Sequence, residues 1–273
     1  MDKIGRRDMV ASLAALGLAG AVRGSAAEEE GQTVGLRRDV QMQFMRPEQL
    51  EETGRRFPVA YVPFGLIEWH GKHLPLGNDA IKAHAILVRC AEQFGGVVYP
   101  PVYFHAGFDQ QHLVPVLTQL FDGLKRTGYR VIIGVSGHNI REQLDMIEAG
   151  LKPVTADGTC VGWASWEFQP GLSADSASDH AAKWETSNMM YFYPDLVDMS
   201  RLGEGPLAPD MKPPDGIGGL DPREHASAEV GRRNVEICAE AIGKKARELL
   251  ESLPEDQRSF NIEAIIPGRW WLI

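Results

Sequence analysis

The sequence predicts an α/β fold, a three-layer α/β/α sandwich built on a mainly parallel sheet. Apolar runs of strand length recur along the chain, and most are followed by a polar loop and then by a segment whose apolar residues have helical spacing. The clearest run, residues 130–136, is rich in β-branched side chains, which is typical of a strand buried on both faces. Strands that alternate with helices form a parallel sheet with helices on both sides.

The predicted elements follow one another in a single domain, residues 55–255, because no linker interrupts the pattern. Strands are predicted at 59–67, 97–104, 130–136 and 159–168, and helices at 79–94, 114–127, 141–150, 181–193 and 226–253. Pro100 and Pro101 mark the point where ladder pairing in the second strand stops.

Three segments have weaker patterns. Residues 28–54 are predicted to form an N-terminal extension with one short helix near 46–53, which packs on the edge of the domain. Residues 203–222 are rich in proline and glycine and form a loop that either covers the site or reaches a neighbouring subunit. Residues 256–273 form a C-terminal tail for which the sequence predicts no structure.

The first 27 residues have the pattern of an export signal. Basic residues, among them the pair Arg6-Arg7, precede an apolar run at 9–22, and small residues follow at 25–27. The run is too short to span a bilayer, which takes about 20 residues, and the paired arginines favour the twin-arginine route. We therefore expect a periplasmic or secreted protein that begins near Glu28 and has no stable membrane anchor. The alternative is an amphipathic or anchoring N-terminal helix.

Charge and cysteine content narrow the range of functions. The signal holds four basic and two acidic residues, so the mature chain has 24 basic and 35 acidic residues and a net charge of about −11. Nucleic acid is bound largely through neutralisation of phosphates by Lys and Arg, so it is not an expected partner. Cys90, Cys160 and Cys238 lie far apart without CxxC spacing. One pair could form a disulfide, but Cys90 and Cys238 fall on apolar helix faces and are expected to be buried.

Residues 62–79 hold an unusual density of possible metal ligands. Glu68 and His70 follow the first strand and, being two residues apart, share a face of an extended chain. The glycines and proline after them form an irregular loop that can bring Asp79 back toward them. Oxygen and nitrogen ligands together suit zinc, manganese or iron, whereas calcium prefers oxygen alone. The alternative is a helix-capping Asp79 beside a surface Glu68/His70 pair.

A further histidine occupies an equivalent place in the predicted sheet. His138 follows the strand at 130–136, just as Glu68 and His70 follow the first strand. Ligands of parallel sheets collect at the carboxyl ends of the strands, so these residues are expected to share one site. His105 and His112 flank a polar loop and either contact substrate or remain on the surface. Trp163 and Trp166 are expected to pack in the core.

At these residues the sequence resembles the creatininase family of metal-dependent amidohydrolases. Residues 63–79 fit its signature, which reads approximately Pro-x-Gly-x-x-Glu-x-His-Gly-x-His-Leu-Pro-x-x-x-Asp. Further matching segments are Ser136-Gly-His138, His180 with Glu185-Thr-Ser187, and Gly219-Leu-Asp-Pro222 leading to Ala228-Glu-Val-Gly231. The resemblance spans roughly residues 55 to 250, and several motifs in the right order are more specific than any one of them.

The resemblance implies a binuclear centre with two divalent ions. Asp79 would bridge them, Glu68 and His138 would complete one site, and His70 would contribute to the other. Creatininase has a further carboxylate for this second site, but this chain has Ile140 at that position. Glu185 is the expected substitute. The alternative is that this carboxylate, near a helix start, only interacts favourably with the helix dipole.

The resemblance also implies a reaction, hydrolysis of a non-peptide C–N bond in a small amide, linear or cyclic. His180 would shuttle a proton to the leaving nitrogen, oriented by Asp179. By family resemblance the protein would be a homo-oligomer, a hexamer. Creatinine itself is not the expected substrate, because the loop at Asn139 and Ile140 differs from that of creatininase.

Two other classes of function are a non-catalytic binding or scaffold protein and a redox protein. An exported binding or scaffold protein that kept the fold without turnover would show a broken ligand set, but four of the five expected ligand positions are intact. A redox protein would suit the twin-arginine route, yet the sequence has no CxxC, haem motif or Rossmann glycine pattern. The sequence therefore favours the metal-dependent hydrolase.

Overall fold

The computed structural model describes residues 35–107, 109–168, 177–208, 211 and 215–261. The predicted export signal and the tail from residue 262 onward lie outside the described residues. None of the helices in the described part has the length and apolar character needed to cross a bilayer.

The sheet has five strands, and every pair in it is parallel. The strands are β1 (Val59–Ile67), β2 (Val97–Val98), β3 (Val102–His105), β4 (Val131–Ser136) and β5 (Val161–Trp166). On one side, β1 pairs with β2 through Ala60 and with β3 through Phe64; on the other it pairs with β4, which pairs with β5. The strand predicted at 97–104 is thus two short strands separated at Pro100 and Pro101, as their missing N–H groups require.

Seven α-helices lie along the described chain. They are α1 (Pro47–Arg56), α2 (Asn78–Phe94), α3 (Gln110–Thr127), α4 (Arg141–Val154), α5 (Lys183–Phe192), α6 (Pro222–His225) and α7 (Ala228–Ser252). Short 3-10 turns occur at Arg38–Val40, Met42–Phe44, Pro194–Leu196, Met199–Leu202 and Glu255–Gln257. Every predicted helix is present.

Side chains that alternate along the strands form two cores, one on each face of the sheet. On one face, Val131 and Ile133 of β4 pack with residues of α2, α5 and α7. On the other face, Ile132 packs with residues of α3 and α4, including Phe121 and Ile147. Full burial of such a side chain stabilises the fold by about 1.5–3 kcal/mol. This arrangement confirms the predicted three-layer α/β/α fold.

Some helix boundaries differ from the prediction. The helix predicted from residue 114 begins at Gln110, because Asp109 caps it by accepting a hydrogen bond from the N–H of Gln111. The helix predicted to end at residue 150 continues to Val154, with Pro153 in its last turn.

The segments outside the predicted domain also contact it. The helix predicted near 46–53 is α1, which buries Leu50 in the core on the α3/α4 side. At the other end, the ring of Phe260 packs edge-on against Tyr129, with 5.3 Å between the ring centroids. Cys90, Cys160 and Cys238 are all buried and none of them is in a disulfide, so the possible bridge is not formed.

Candidate metal centre

Separate elements bring five predicted ligands to one end of the sheet. Glu68 and His70 follow β1, Asp79 lies in the first turn of α2, His138 follows β4, and Glu185 lies in the first turn of α5. Four of the five are also deeply placed, with side chains at most 13% exposed, while the Glu68 side chain is 28% exposed. The expected convergence at the carboxyl ends of the strands is therefore present.

Two glycines allow the start of α2 to approach the ends of β1 and β4. A Cβ atom on Gly65 would lie 2.2 Å from the backbone nitrogen of Ala80, and one on Gly137 would lie 2.0 Å from the backbone oxygen of Asp79. A larger residue at either position would push α2 away from the sheet. The close approach also lets the Asp79 carboxylate accept a hydrogen bond from the N–H of Leu66 at 3.2 Å.

Asp79 lies between two groups of donor atoms. Its Oδ2 atom is 3.3 Å from Nδ1 of His138, which lies 2.9 Å from Oε2 of Glu68. Its Oδ1 atom is 2.9 Å from Nε2 of His70, which lies 3.4 Å from Oε2 of Glu185. Within each group of three residues, the donor atoms lie within 4.8 Å of one another. Asp79 thus belongs to both groups and offers one oxygen to each.

The arrangement of the donor atoms suits the binding of divalent metal ions better than hydrogen bonding among the side chains themselves. The Oε2 atom of Glu68 and Nε2 of His70 are buried and have no hydrogen-bond partner among the described residues, despite the short distances to their neighbours. Such atoms converge without hydrogen-bond geometry, as ligands of a common ion do. Three carboxylates and two imidazoles form the mixed oxygen and nitrogen set that suits zinc, manganese or iron.

The alternative role of Asp79 as a helix cap is wrong. The residue at the N-cap of α2 is Gly77, which has no side chain with which to cap the helix. Asp79 lies inside the first turn, which directs its carboxylate toward the ends of β1 and β4. The carboxylate is therefore available to the site.

The charges of the site stabilise one another. Burial opposes ionisation of Asp79, but His138 and His70 outweigh it and hold the pKa of Asp79 well below its ordinary value. Burial also opposes the charged imidazoles, yet Glu185 and Asp79 raise the pKa of His70 to about 9. Asp79 and Glu68 likewise raise the pKa of His138 to about 9. The carboxylates thus favour positive charge between them, which a bound cation would supply in place of the protons.

Glu185 is also paired with a lysine that sequence reasoning missed. Its Oε1 atom lies 2.5 Å from Nζ of Lys82, and its Oε2 atom accepts a hydrogen bond from the N–H of Ala181 at 2.7 Å. Lys82 is fully buried and also donates to Oε1 of Glu167 at 2.7 Å. One signal was present in the sequence, because Lys82 lies three residues after Asp79 and so on the same face of α2.

The pKa values around this pair reflect the same burial. Burial disfavours the ammonium form of Lys82, but Glu167 and Glu185 more than compensate and raise its pKa. Burial raises the pKa of Glu167 to about 7, although Lys82 opposes that shift. Lys82 thus remains charged and neutralises part of the negative charge that Glu185 brings to the site.

His180 lies at the edge of the centre. Its Nε2 atom is 2.9 Å from the backbone oxygen of Trp69, and its ring centroid is 4.6 Å from that of His70. A ring nitrogen of His180 also lies within 4.8 Å of donor atoms of Glu68 and His70. Geometry therefore permits contact with either a metal ion or a substrate.

Asp179 does not orient His180, contrary to the expectation from their adjacent positions in the sequence. Its two oxygens accept hydrogen bonds from the N–H groups of Trp184 at 2.9 Å and Glu185 at 3.2 Å, so it caps the start of α5. Burial and the nearby Glu185 raise the pKa of Asp179 to about 6. Asp179 takes this position because the exposed N–H groups at a helix start attract a carboxylate that lies just before them.

A histidine of the signature fixes the loop after β1 to α5. Nε2 of the buried His73 lies 2.9 Å from Oγ1 of Thr186, the residue after Glu185. Burial, with the neighbouring His70, lowers the pKa of His73 to about 4. A neutral His73 therefore holds the loop that carries His70 against the helix that carries Glu185.

A cavity of about 530 Å³ opens over the centre. Its lining includes Glu68, Asp79, His138, Asn139, Ile140, Ser178, His180 and Glu185. The side-chain amide of Asn139 donates to Ser178 at 2.5 Å, which places polar groups on the wall beside the donors. The other histidines fall elsewhere: His105 borders a smaller adjoining cavity, and His112 is exposed on α3. Trp166 and Trp163 pack against the cores, as expected.

The fold and the donor set together define the class of α/β metal-dependent hydrolases. The chain belongs to the creatininase family. The sequence model of this family, described as creatinine amidohydrolase, matches residues 43–245. This match confirms the resemblance seen in the sequence.

Similar proteins of two kinds are known. Creatinine amidohydrolase of Pseudomonas putida is 26% identical over 231 residues, which cover 70% of this chain and 89% of that protein. Mycofactocin precursor peptide peptidase of Mycolicibacterium smegmatis (strain ATCC 700084 / mc(2)155) is 30% identical over 169 residues, which cover 56% of this chain and 65% of the peptidase. A crystal structure of creatinine amidohydrolase (creatininase) has a TM-score of 0.65 at 21% identity and covers 77% of this chain and 98% of its own. That structural likeness establishes the shared fold.

Proposed function

We propose that this protein is an amidohydrolase that uses two divalent ions to cleave a non-peptide C–N bond of a small amide, linear or cyclic. The observation that carries the proposal is the position of Asp79, whose two oxygens face two separate groups of donor atoms. The relatives are named as an amidohydrolase and a peptide peptidase, and both names describe enzymes that hydrolyse a C–N bond. Creatininase structures of the same fold are described as a Zn–Zn type and as an Mn form.

The two ions are assigned to the two donor groups. Glu68, Asp79 and His138 would hold one ion, and His70, Asp79 and Glu185 the other. Glu185 then takes the place of the carboxylate that is missing at Ile140. Divalent ions at such sites polarise a carbonyl group and make a water molecule nucleophilic at neutral pH.

His180 is assigned the proton transfer. A backbone carbonyl only accepts hydrogen bonds, so in the contact with Trp69 the Nε2 atom of His180 carries the proton. The Nδ1 atom is then the nitrogen that takes up a proton and passes it to the leaving nitrogen of the substrate. Asp179 supports the reaction indirectly, because it fixes the first turn of α5 and with it the backbone of Glu185.

Location and assembly are part of the same proposal. The export pattern at residues 1–27 supports a periplasmic or secreted enzyme, with its metal loaded before export by the twin-arginine route. Family membership supports a homo-oligomer. Creatinine is not proposed as the substrate, because the loop at Asn139 and Ile140 departs from that of creatininase.

The experiment combines metal analysis with hydrolysis. Protein stripped with a chelator and titrated with Zn²⁺ or Mn²⁺ is expected to take up about two ions per chain, the second more weakly, and then to release amine from at least one member of a panel of small amides. Failure to bind a transition metal, in the purified protein and after titration, would refute the proposal. Two bound ions without hydrolysis of any amide would favour the exported binding protein instead.

A further inference from the structure

A second, smaller cavity adjoins the metal centre. It has a volume of about 220 Å³ and lies between the end of β3 and the helices α3 and α4. The large apolar side chains of its lining are Leu66, Phe104, Leu113, Ile140 and Met146. It shares Glu68, His138 and Ile140 with the larger cavity, so the two spaces meet at the donor group of the first ion.

Ile140 lies at the junction of the two cavities. It is the N-cap residue of α4 and is 43% exposed, although neighbouring β4 and α4 bury most of their apolar side chains. A β-branched side chain at a helix N-cap offers no capping hydrogen bond, so local structure does not explain it. A ligand that covers it would remove its apolar surface from water.

The two glutamine side chains that line this cavity already make hydrogen bonds within the protein. The side-chain oxygen of Gln143 lies 2.5 Å from the hydroxyl of Ser136, and the Gln110 side chain donates to the backbone oxygen of Glu142 at 3.1 Å. The floor is formed by Phe104, whose ring stacks on Phe64 at a centroid distance of 6.2 Å, and by Met146, a side chain that adapts to varied shapes. The space therefore favours an apolar group.

We propose that this apolar cavity binds an apolar substituent of the substrate, an aromatic ring or a branched alkyl group next to the scissile amide. The inference rests on the proposed function and specifies its substrate class. A closed apolar cavity of about 150 Å³ holds benzene, so the volume here accommodates a group of that size. Transfer of the ligand role to Glu185 leaves position 140 free to contact this substituent.

The test uses two hydroxamates, which chelate divalent ions as amide mimics and differ only in their substituent. Binding of acetohydroxamate and benzohydroxamate to the Zn²⁺-loaded protein is measured by calorimetry. Because the phenyl ring buries far more apolar surface than the methyl group, benzohydroxamate is expected to bind at least about tenfold more tightly. Ile140→Asn, at an exposed position, should reduce this ratio to within about threefold, chiefly by weakening the binding of benzohydroxamate.

A matched pair of variants on α3 provides the control. Leu113→Asn alters the cavity wall and should also reduce the ratio, whereas Val116→Asn changes a 57% exposed residue outside the cavity lining and should leave it intact. Equal affinity of the native protein for both hydroxamates would overturn the inference while the proposed function stood. An unchanged preference in both Ile140→Asn and Leu113→Asn would also overturn it. Failure of both hydroxamates to bind the Zn²⁺-loaded protein would refute the proposed function itself.

Discussion

Nζ of Lys82 lies 2.5 Å from Oε1 of Glu185, and both side chains are almost completely buried. The lysine thereby occupies one oxygen of Glu185 and leaves Oε2 facing His70 and Asp79. Glu167 accepts a second hydrogen bond from the same ammonium group, so a buried cation balances two buried carboxylates beside the metal centre.

Lys82 is expected to be essential for stability. In Lys82→Met both carboxylates stay buried without their cation, and the free energy of unfolding should fall by about 3–5 kcal/mol. The double variant Lys82→Met with Glu167→Gln removes one of those charges and should lose less than the single variant. Urea denaturation in the presence of a chelator measures both. Lys244→Met, which breaks an exposed pair with Glu240, is the control and should change stability by less than about 1 kcal/mol. A native-like Lys82→Met would show that the pair contributes nothing.

Metal content should separate Asp79 from His138. Asp79→Ala removes a ligand of both proposed ions, so this variant should retain almost no metal after gel filtration. His138→Ala removes a ligand of one ion and should retain about one per chain. Elemental analysis gives the counts, with His112→Ala, an exposed change on α3, as the reference that keeps both. Equal losses in Asp79→Ala and His138→Ala would contradict a bridging Asp79.

His180 is predicted to act on the substrate and not to hold metal. His180→Ala should leave metal content nearly unchanged and lower turnover by about two to four orders of magnitude, the usual contribution of general acid–base catalysis. The measurements are elemental analysis and the rate on the amide identified in the hydrolysis panel. A parallel fall of metal content and turnover would identify His180 as a ligand. Full activity with full metal content would remove it from the mechanism.

Acid should weaken the fold partly through His84. This residue is 8% exposed, and burial lowers its pKa from 6.5 to about 4. Between pH 7 and pH 5 the unfolded chain therefore takes up a proton that the native protein does not, which costs about 2 kcal/mol of stability. In His84→Leu the free energy of unfolding should fall by about 2 kcal/mol less between pH 7 and pH 5 than it does in the native protein. Urea denaturation with chelator present measures this difference. The same change at the exposed His112 should leave the pH dependence as it is; a His84→Leu protein with the native pH dependence would contradict the assignment.

Export should depend on the paired arginines. Arg6→Lys together with Arg7→Lys is expected to hold the precursor in the cytoplasm, because the twin-arginine route selects this pair. Cell fractionation followed by immunoblotting gives the distribution, and N-terminal sequencing of the exported native protein should begin near Glu28. Lys3→Arg, which leaves the pair intact, is the control. Normal export of the double variant would point to the general secretory route.

Much of the fold could be predicted because its signals are local. The β-branched run of β4 and the apolar β1 can only be buried between helices, and the glycine and proline positions separate the elements. Helix boundaries were less predictable, since Asp109 extends α3 by capping it and no periodicity reports a cap.

The sequence by itself determined which donor types follow which strands: Glu68 and His70 after β1, and His138 after β4. It could not determine how Glu185 and Asp179 divide their roles, because both lie near one helix start and both have the right chemistry. Nor could it determine the partner of Lys82, which is 103 residues away in Glu185. Only the tertiary structure decided these contacts, because a buried charge takes whichever opposite charge the packing of distant elements brings within reach.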